Sequence, residues 1–178
     1  SLYLARKGAE SDAPFLCEAS VRFMQETLAV IKKPHQTVLA PSKKALCSLA
    51  AFPDPVSSRE WKKDHPGGVV VSYINTYLPV KAESDYCTTS GNAPQVLRHV
   101  AKKYPGDPIL FLPDAYLGFY AAKLLEAEGE SIDRLWLLAG ACHVHDMIRP
   151  YHVEIARRDH PDAAVVVHPE CGCASACM

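Results

Sequence analysis

KKDHPGGVVV at residues 62–71 and RRDHPDAAVVV at residues 157–167 are two copies of one pattern. In each, two basic residues lead into Asp-His-Pro and then into three consecutive valines. Asp64 and Asp159 stand 95 residues apart (159 − 64), and the same offset joins Cys47 to Cys142 (142 − 47). It also places Tyr73 over His168 and Asn75 over Glu170. A repeated period of this kind marks a structural unit used more than once. Each unit supplies a cysteine after a strand, then a polar pair at the end of the next strand. A weaker echo pairs Val38-Leu39-Ala40-Pro41-Ser42 with Leu110-Phe111-Leu112-Pro113-Asp114.

Short apolar runs alternate with helical spacing around this repeat. Strands are expected at Thr37–Ala40, Val69–Tyr73, Ile109–Leu112, Leu135–Leu138 and Ala164–Val167. Helices are expected at Val21–Ile31, Ala93–Lys103, Tyr116–Glu128 and Val153–Arg158, the second capped by Asn92. Alternating strands and helices with valine-rich strands imply an α/β fold of repeated layered units, with short parallel sheets related by internal pseudo-symmetry. Ligands of such sheets bind at the carboxyl ends of the strands.

The chain has 178 residues, of which 48% are hydrophobic and 22% charged, enough to bury a core. A net charge of −1 provides no basic field for nucleic acid and no polybasic membrane patch. No apolar run approaches the roughly 18 residues of a membrane span. Residues 1–10 lack the basic and apolar regions of a signal peptide, and the first residue is Ser1 rather than Met, which suggests processing or a fragment. Seven cysteines, at 17, 47, 87, 142, 171, 173 and 177, are an odd number, so free thiols or metal ligands fit better than full disulfide pairing.

Five segments carry chemistry-bearing side chains. Cys47 and Cys142 each follow a strand and a short turn near a helix start, where the backbone dipole favours the thiolate that binds metal; small buried residues at tight turns would look the same. Tyr73 and Asn75 share one face where the third expected element, Val69–Tyr73, ends, either as polar contacts or as a solvated strand exit. Ser90, in Thr88-Thr89-Ser90-Gly91-Asn92, precedes a helix and suits either a bound phosphate or carboxylate or a plain helix cap. His168 and Glu170 project to one side if the valine strand persists, and both can move protons near neutral pH. Cys171, Cys173 and Cys177 lack the spacing of a structural zinc site, and His143 and His145 fit surface or supporting roles better than ligation.

In order, the segments A-L-C-S-L-A, V-S-Y-I-N-T, C-T-T-S-G-N-A, L-P-D-A-Y-L-G, G-A-C-H-V-H and H-P-E-C resemble the quinolinate synthase family, as does Phe23-Met24-Gln25-Glu26-Thr27. The similarity runs from about residue 15 to residue 171. It implies a fold of three similar α/β units about a pseudo-threefold axis. Residues 1–50 would close the first unit, 51–142 would form the second and 143–178 would begin the third. It implies condensation of iminoaspartate with dihydroxyacetone phosphate to quinolinate, with loss of phosphate and water, in cytoplasmic NAD biosynthesis. Functional coupling to L-aspartate oxidase or aspartate dehydrogenase follows from that chemistry. The resemblance makes Cys47 and Cys142 two of three cysteine ligands of a [4Fe–4S] cluster with one open iron acting as a Lewis acid. Tyr73, His168 and Glu170 become proton-transfer residues, and Asn75 and Ser90 substrate contacts. Arg22 stands where the family usually has histidine, and Pro41-Ser42 where it has a Pro-Asp-like pair. The family's early histidine, its third cysteine and its Ser/Thr phosphate loop have no counterpart in the chain. The alternative is a non-catalytic metal- or thiol-binding α/β module or an inactive fragment. Tyr73-x-Asn75 and His168-Pro169-Glu170 separate the two, because only a substrate site needs them.

Overall fold

The computed structural model describes residues 2–173. The elements run α1 (Leu2–Glu10), β1 (Phe15–Cys17), α2 (Arg22–Ile31), β2 (Thr37–Leu39), α3 (Ser48–Ala51), α4 (Pro55–Asp64), β3 (Val69–Tyr73) and α5 (Leu78–Ala82). They continue with β4 (Tyr86–Thr88), α6 (Ala93–Lys103), β5 (Ile109–Leu112), α7 (Ala115–Ala127), β6 (Leu135–Leu137), α8 (His143–Asp146) and α9 (Pro150–Asp159). The fold is α/β with two parallel sheets: β1 pairs with β2, and the larger sheet has the order β4-β3-β5-β6.

β3 and β5 are central and buried along their whole length, which explains their unbroken apolar runs. Strand alternation divides their side chains between two layers. Val69, Val71, Tyr73, Ile109 and Phe111 pack with Leu97 and Val100 of α6 and Leu117 and Ala121 of α7. Val70, Leu110 and Leu112 pack with Val80 of α5 and Trp61 of α4 on the other face. The chain therefore leaves β3 toward one face and β5 toward the other. Where neighbouring strands diverge in this way, a crevice opens at their carboxyl ends.

The 95-residue repeat is carried by helices. α3 and α8 occupy equivalent positions (48 + 95 = 143; 51 + 95 = 146), and so do α4 and α9 (55 + 95 = 150; 64 + 95 = 159). Cys47 and Cys142 are the N-cap residues of the first pair.

The expected strand at residues 164–167 does not form. Val165, Val166 and Val167 are exposed, Val166 by 94%. Among the described residues no strand lies alongside to accept the ladder bonds, and valine propensity alone does not hold a strand. The capping expectation for Asn92 also needs correction. Asn92 occupies the N-cap position of α6, but its Oδ1 turns back to accept from Thr88 Oγ1 (2.9 Å), Thr89 N (2.7 Å) and Thr89 Oγ1 (2.7 Å). It fixes the turn that presents Ser90. Among the described residues, no helix is long and apolar enough to cross a membrane.

Candidate functional site

Tyr73 closes β3 and is 5% exposed. Its phenol faces Glu170 and Ser90, and burial, reinforced by the Glu170 charge, pushes its pKa far up. At neutral pH it is a proton-bearing donor. Asp114, just beyond β5, is fully buried. Its Oδ1 caps α7 by accepting from Leu117 N at 2.8 Å, whereas Oδ2 has no partner among the described residues. Burial and the nearby Glu170 raise the Asp114 carboxyl to about 7, against the pull of the Leu117 amide. Tyr73 and Asp114 thus flank the crevice between the two central strands.

The segment after residue 167 delivers the remaining groups. His168 and Glu170 do meet, through a tight turn rather than along a strand. Cys171 N donates to His168 O (2.9 Å), and Glu170 N approaches His168 Nδ1 at 3.3 Å. Glu170 Oε2 lies 3.2 Å from His168 Nδ1 and 4.0 Å from His145 Nε2. The two imidazole rings are tilted by 38° with centroids 5.2 Å apart. Burial raises the Glu170 carboxyl, partly offset by the Tyr73 phenol, and burial together with His145 lowers His168. The two groups are thus displaced in opposite directions, which fits one as acid and the other as base.

Ser90 lies between two clefts. One of about 350 Å³ contains Tyr73, Thr89 and Arg6; the other, about 400 Å³, contains His168, Pro169 and Arg98. A larger cavity of about 450 Å³ between α1, α2 and the end of β4 contains neither Tyr73 nor His168 and lacks their convergent titratable groups. Asn75 is half-buried in the bend after β3, and among the described residues no hydrogen bond ties its amide to Tyr73 or Glu170. Asp114 and His145 were not singled out as site residues by the sequence. The signals were faint: Asp114 sits in the weak second echo, and His145 is one helical turn beyond Cys142.

Cys47 and Cys142 pack against the same apolar cluster as Tyr73. Both are half-buried with extended backbone, each at the amino end of a one-turn helix. Ser48 Oγ meets His143 Nδ1 at 2.7 Å, joining the residues that follow the two cysteines. The pair suits soft-metal ligation and supplies two donors. Cys171 and Cys173 are buried elsewhere, against Val153, with sulfurs 2.8 Å apart; Cys177 lies outside the described residues.

The family model described as Quinolinate synthetase A protein matches residues 1–176. The chain is 42% identical to a quinolinate synthase of Thermus thermophilus, over all of this chain and 54% of that protein. It is 44% identical to one of Mycobacterium tuberculosis, over all of this chain and 48% of that protein. One of Pyrobaculum aerophilum is 42% identical, with 55% of its length covered. The chain thus spans about half the length of the curated relatives it matches. With almost its whole length matched by the family model, the chain belongs to the quinolinate synthetase A family.

Proposed function

We propose that the chain supplies two sides of a quinolinate synthase active site, which condenses iminoaspartate with dihydroxyacetone phosphate and releases phosphate and water. The observation that carries this reading is the convergence of Tyr73, His168 and Glu170 at the strand-end crevice beside Ser90. The reaction forms a carbon–carbon and a carbon–nitrogen bond and expels oxygen leaving groups, so protons must leave carbon and reach departing oxygens. The His168 imidazole, shifted down, suits the first task and the Glu170 carboxyl, shifted up, the second. Tyr73 donates a hydrogen bond to a carbonyl or hydroxyl oxygen in the crevice. Ser90, at the amino end of α6, contacts a phosphate or carboxylate, and Asn75 orients the substrate.

The donor set fits the family's iron–sulfur group as far as it goes: Cys47 and Cys142 would be two of its thiolate ligands. When bound, a [4Fe–4S] cluster with an open iron supplies a Lewis acid for a substrate oxygen. The same reading places the protein in the cytoplasm.

Anaerobic reconstitution with iron and sulfide, followed by iron counting and visible spectra, tests the assignment. About four irons per chain, lost when either Cys47 or Cys142 is replaced, is the expected result. Iron that survives both substitutions, or a chain that takes up none, counts against it. Turnover is then measured with iminoaspartate and dihydroxyacetone phosphate.

A further inference from the structure

We propose that His145, His168 and Glu170 form a binding site for a divalent ion of the zinc–cobalt class, distinct from the cysteine pair. One donor atom from each lies within 4.8 Å of the other two. Glu170 Oε2 is the common neighbour, 3.2 Å from His168 Nδ1 and 4.0 Å from His145 Nε2. Ligands bound at about 2.0–2.1 Å around a tetrahedral ion stand roughly 3.4 Å apart, so the first distance already suits an ion. The second needs His145 to close by about half an ångström, and its side chain is 31% exposed on a one-turn helix.

An independent observation points to a ligand here. The Glu170 side chain is only 6% exposed, yet its Oε1 has no hydrogen-bond partner among the described residues. The fully buried Asp114, which feels the Glu170 charge, has an orphan Oδ2 as well. Unpartnered buried carboxylate oxygens are costly, and a bound cation relieves the cost. Two imidazoles and one carboxylate select a borderline transition metal over magnesium or calcium, which prefer all-oxygen shells, and leave coordination positions open. His168 lines the 400 Å³ cleft, so the ion has a route in. Gly172 N already donates to His145 O at 3.1 Å, holding the two ligand-bearing segments together before metal arrives.

Occupancy would withdraw His168 and Glu170 from proton transfer, so the ion would inhibit turnover; that consequence rests on the function proposed above, whereas binding itself does not. The test is titration of the reduced 178-residue chain with cobalt(II), read by absorption. In the Cys47→Ser/Cys142→Ser double variant, saturable binding with visible ligand-field bands and no thiolate charge-transfer band is expected. His145→Asn and Glu170→Gln, each added to that double variant, should weaken it by at least about tenfold. Thermal melts without metal establish that each variant folds, and His145→Asn, at a partly exposed side chain, keeps the test informative if Glu170→Gln does not. No saturable binding at millimolar cobalt in that double variant, or binding there that survives both His145→Asn and Glu170→Gln, overturns the site. Failure of the cobalt-free, iron-reconstituted chain to turn over, with cobalt binding intact in a separate sample, would instead strike only the proposed function.

Discussion

Ser48 Oγ and His143 Nδ1 are 2.7 Å apart, and the two residues occupy the same position in the two copies of the 95-residue repeat. Equivalent points of the two copies thus stand side by side. The contact therefore brings together the residues just after Cys47 and Cys142, which reach one place from distant parts of the chain. We expect Cys47→Ser and Cys142→Ser each to reduce iron after anaerobic reconstitution to background. Cys87→Ser, at an exposed thiol of β4, should retain the wild-type amount. Equal iron in all three variants would remove the cysteine pair from any cluster.

Asp114 should make the fold less stable as pH rises. Its folded pKa of about 7 lies above the ordinary aspartate value of 3.8, so between these limits the native chain holds a proton that the unfolded chain has lost. The linkage slope is then negative, about 1.4 kcal/mol per pH unit, for at most roughly 4 kcal/mol lost once pH passes about 7. Glu170 shifts the same way; His168, lowered, opposes them in acid. Asp114→Asn keeps an N-cap side chain for α7 and removes only the ionisation. In urea melts the stability advantage of the variant over wild type should grow by roughly 3 kcal/mol between pH 5 and pH 8. Parallel stability curves would mean that Asp114 carries no buried charge.

The strands that pack on both faces could be read directly: β3 and β5 have the bounds expected from their apolar runs, and α6 those of its helical spacing. The valines at 165–167 carry the same signal and form no strand, because a strand is a relation between segments. β3 has β4 and β5 beside it, and residues 164–167 have neither. β1 and β4, three residues each, are too short to show a period. Of the candidate site, Tyr73, His168 and Glu170 could be picked out by residue types that carry protons. Asp114 and His145 could not, because what marks them is the electrostatic influence of Glu170, 56 and 25 residues away (170 − 114; 170 − 145).

Gly140 holds the loop between β6 and Cys142 against Asp114 by close approach. An added Cβ would run into the Pro113 carbonyl and come within 2.8 Å of Phe52 Cδ1. Gly140 also forms a parallel bridge with Asp114, and its carbonyl accepts from Ala115 N at 2.8 Å. Gly140→Ala should cost about 1–3 kcal/mol in urea melts, as overpacking does, and lower metal retention by displacing Cys142 and His145. Gly91→Ala, where the nearest atom to the new Cβ is Thr89 Oγ1 at 3.9 Å, is the control and should melt like wild type. Indistinguishable melts for the two variants would refute the close-packing account.

Arg134 should govern stability without touching the site. Its Nη1 donates to Tyr104 O (2.6 Å) and Asp107 O (2.8 Å), and Nη2 to Ala101 O (2.8 Å). These carbonyls lie at the carboxyl end of α6 and in the loop entering β5, where a helix leaves acceptors unsatisfied. The planar fork reaches all three at once, which a lysine ammonium cannot. Arg134→Ala should cost about 2–3 kcal/mol, and Arg134→Lys should recover less than half of it. The contacts are at the amino edge of β5 and β6, away from Tyr73 and Asp114 at the carboxyl edge. Below its melting temperature the alanine variant should therefore bind cobalt and reconstituted iron like wild type. A loss of metal binding in the folded variant would show that the two ends of the sheet are coupled.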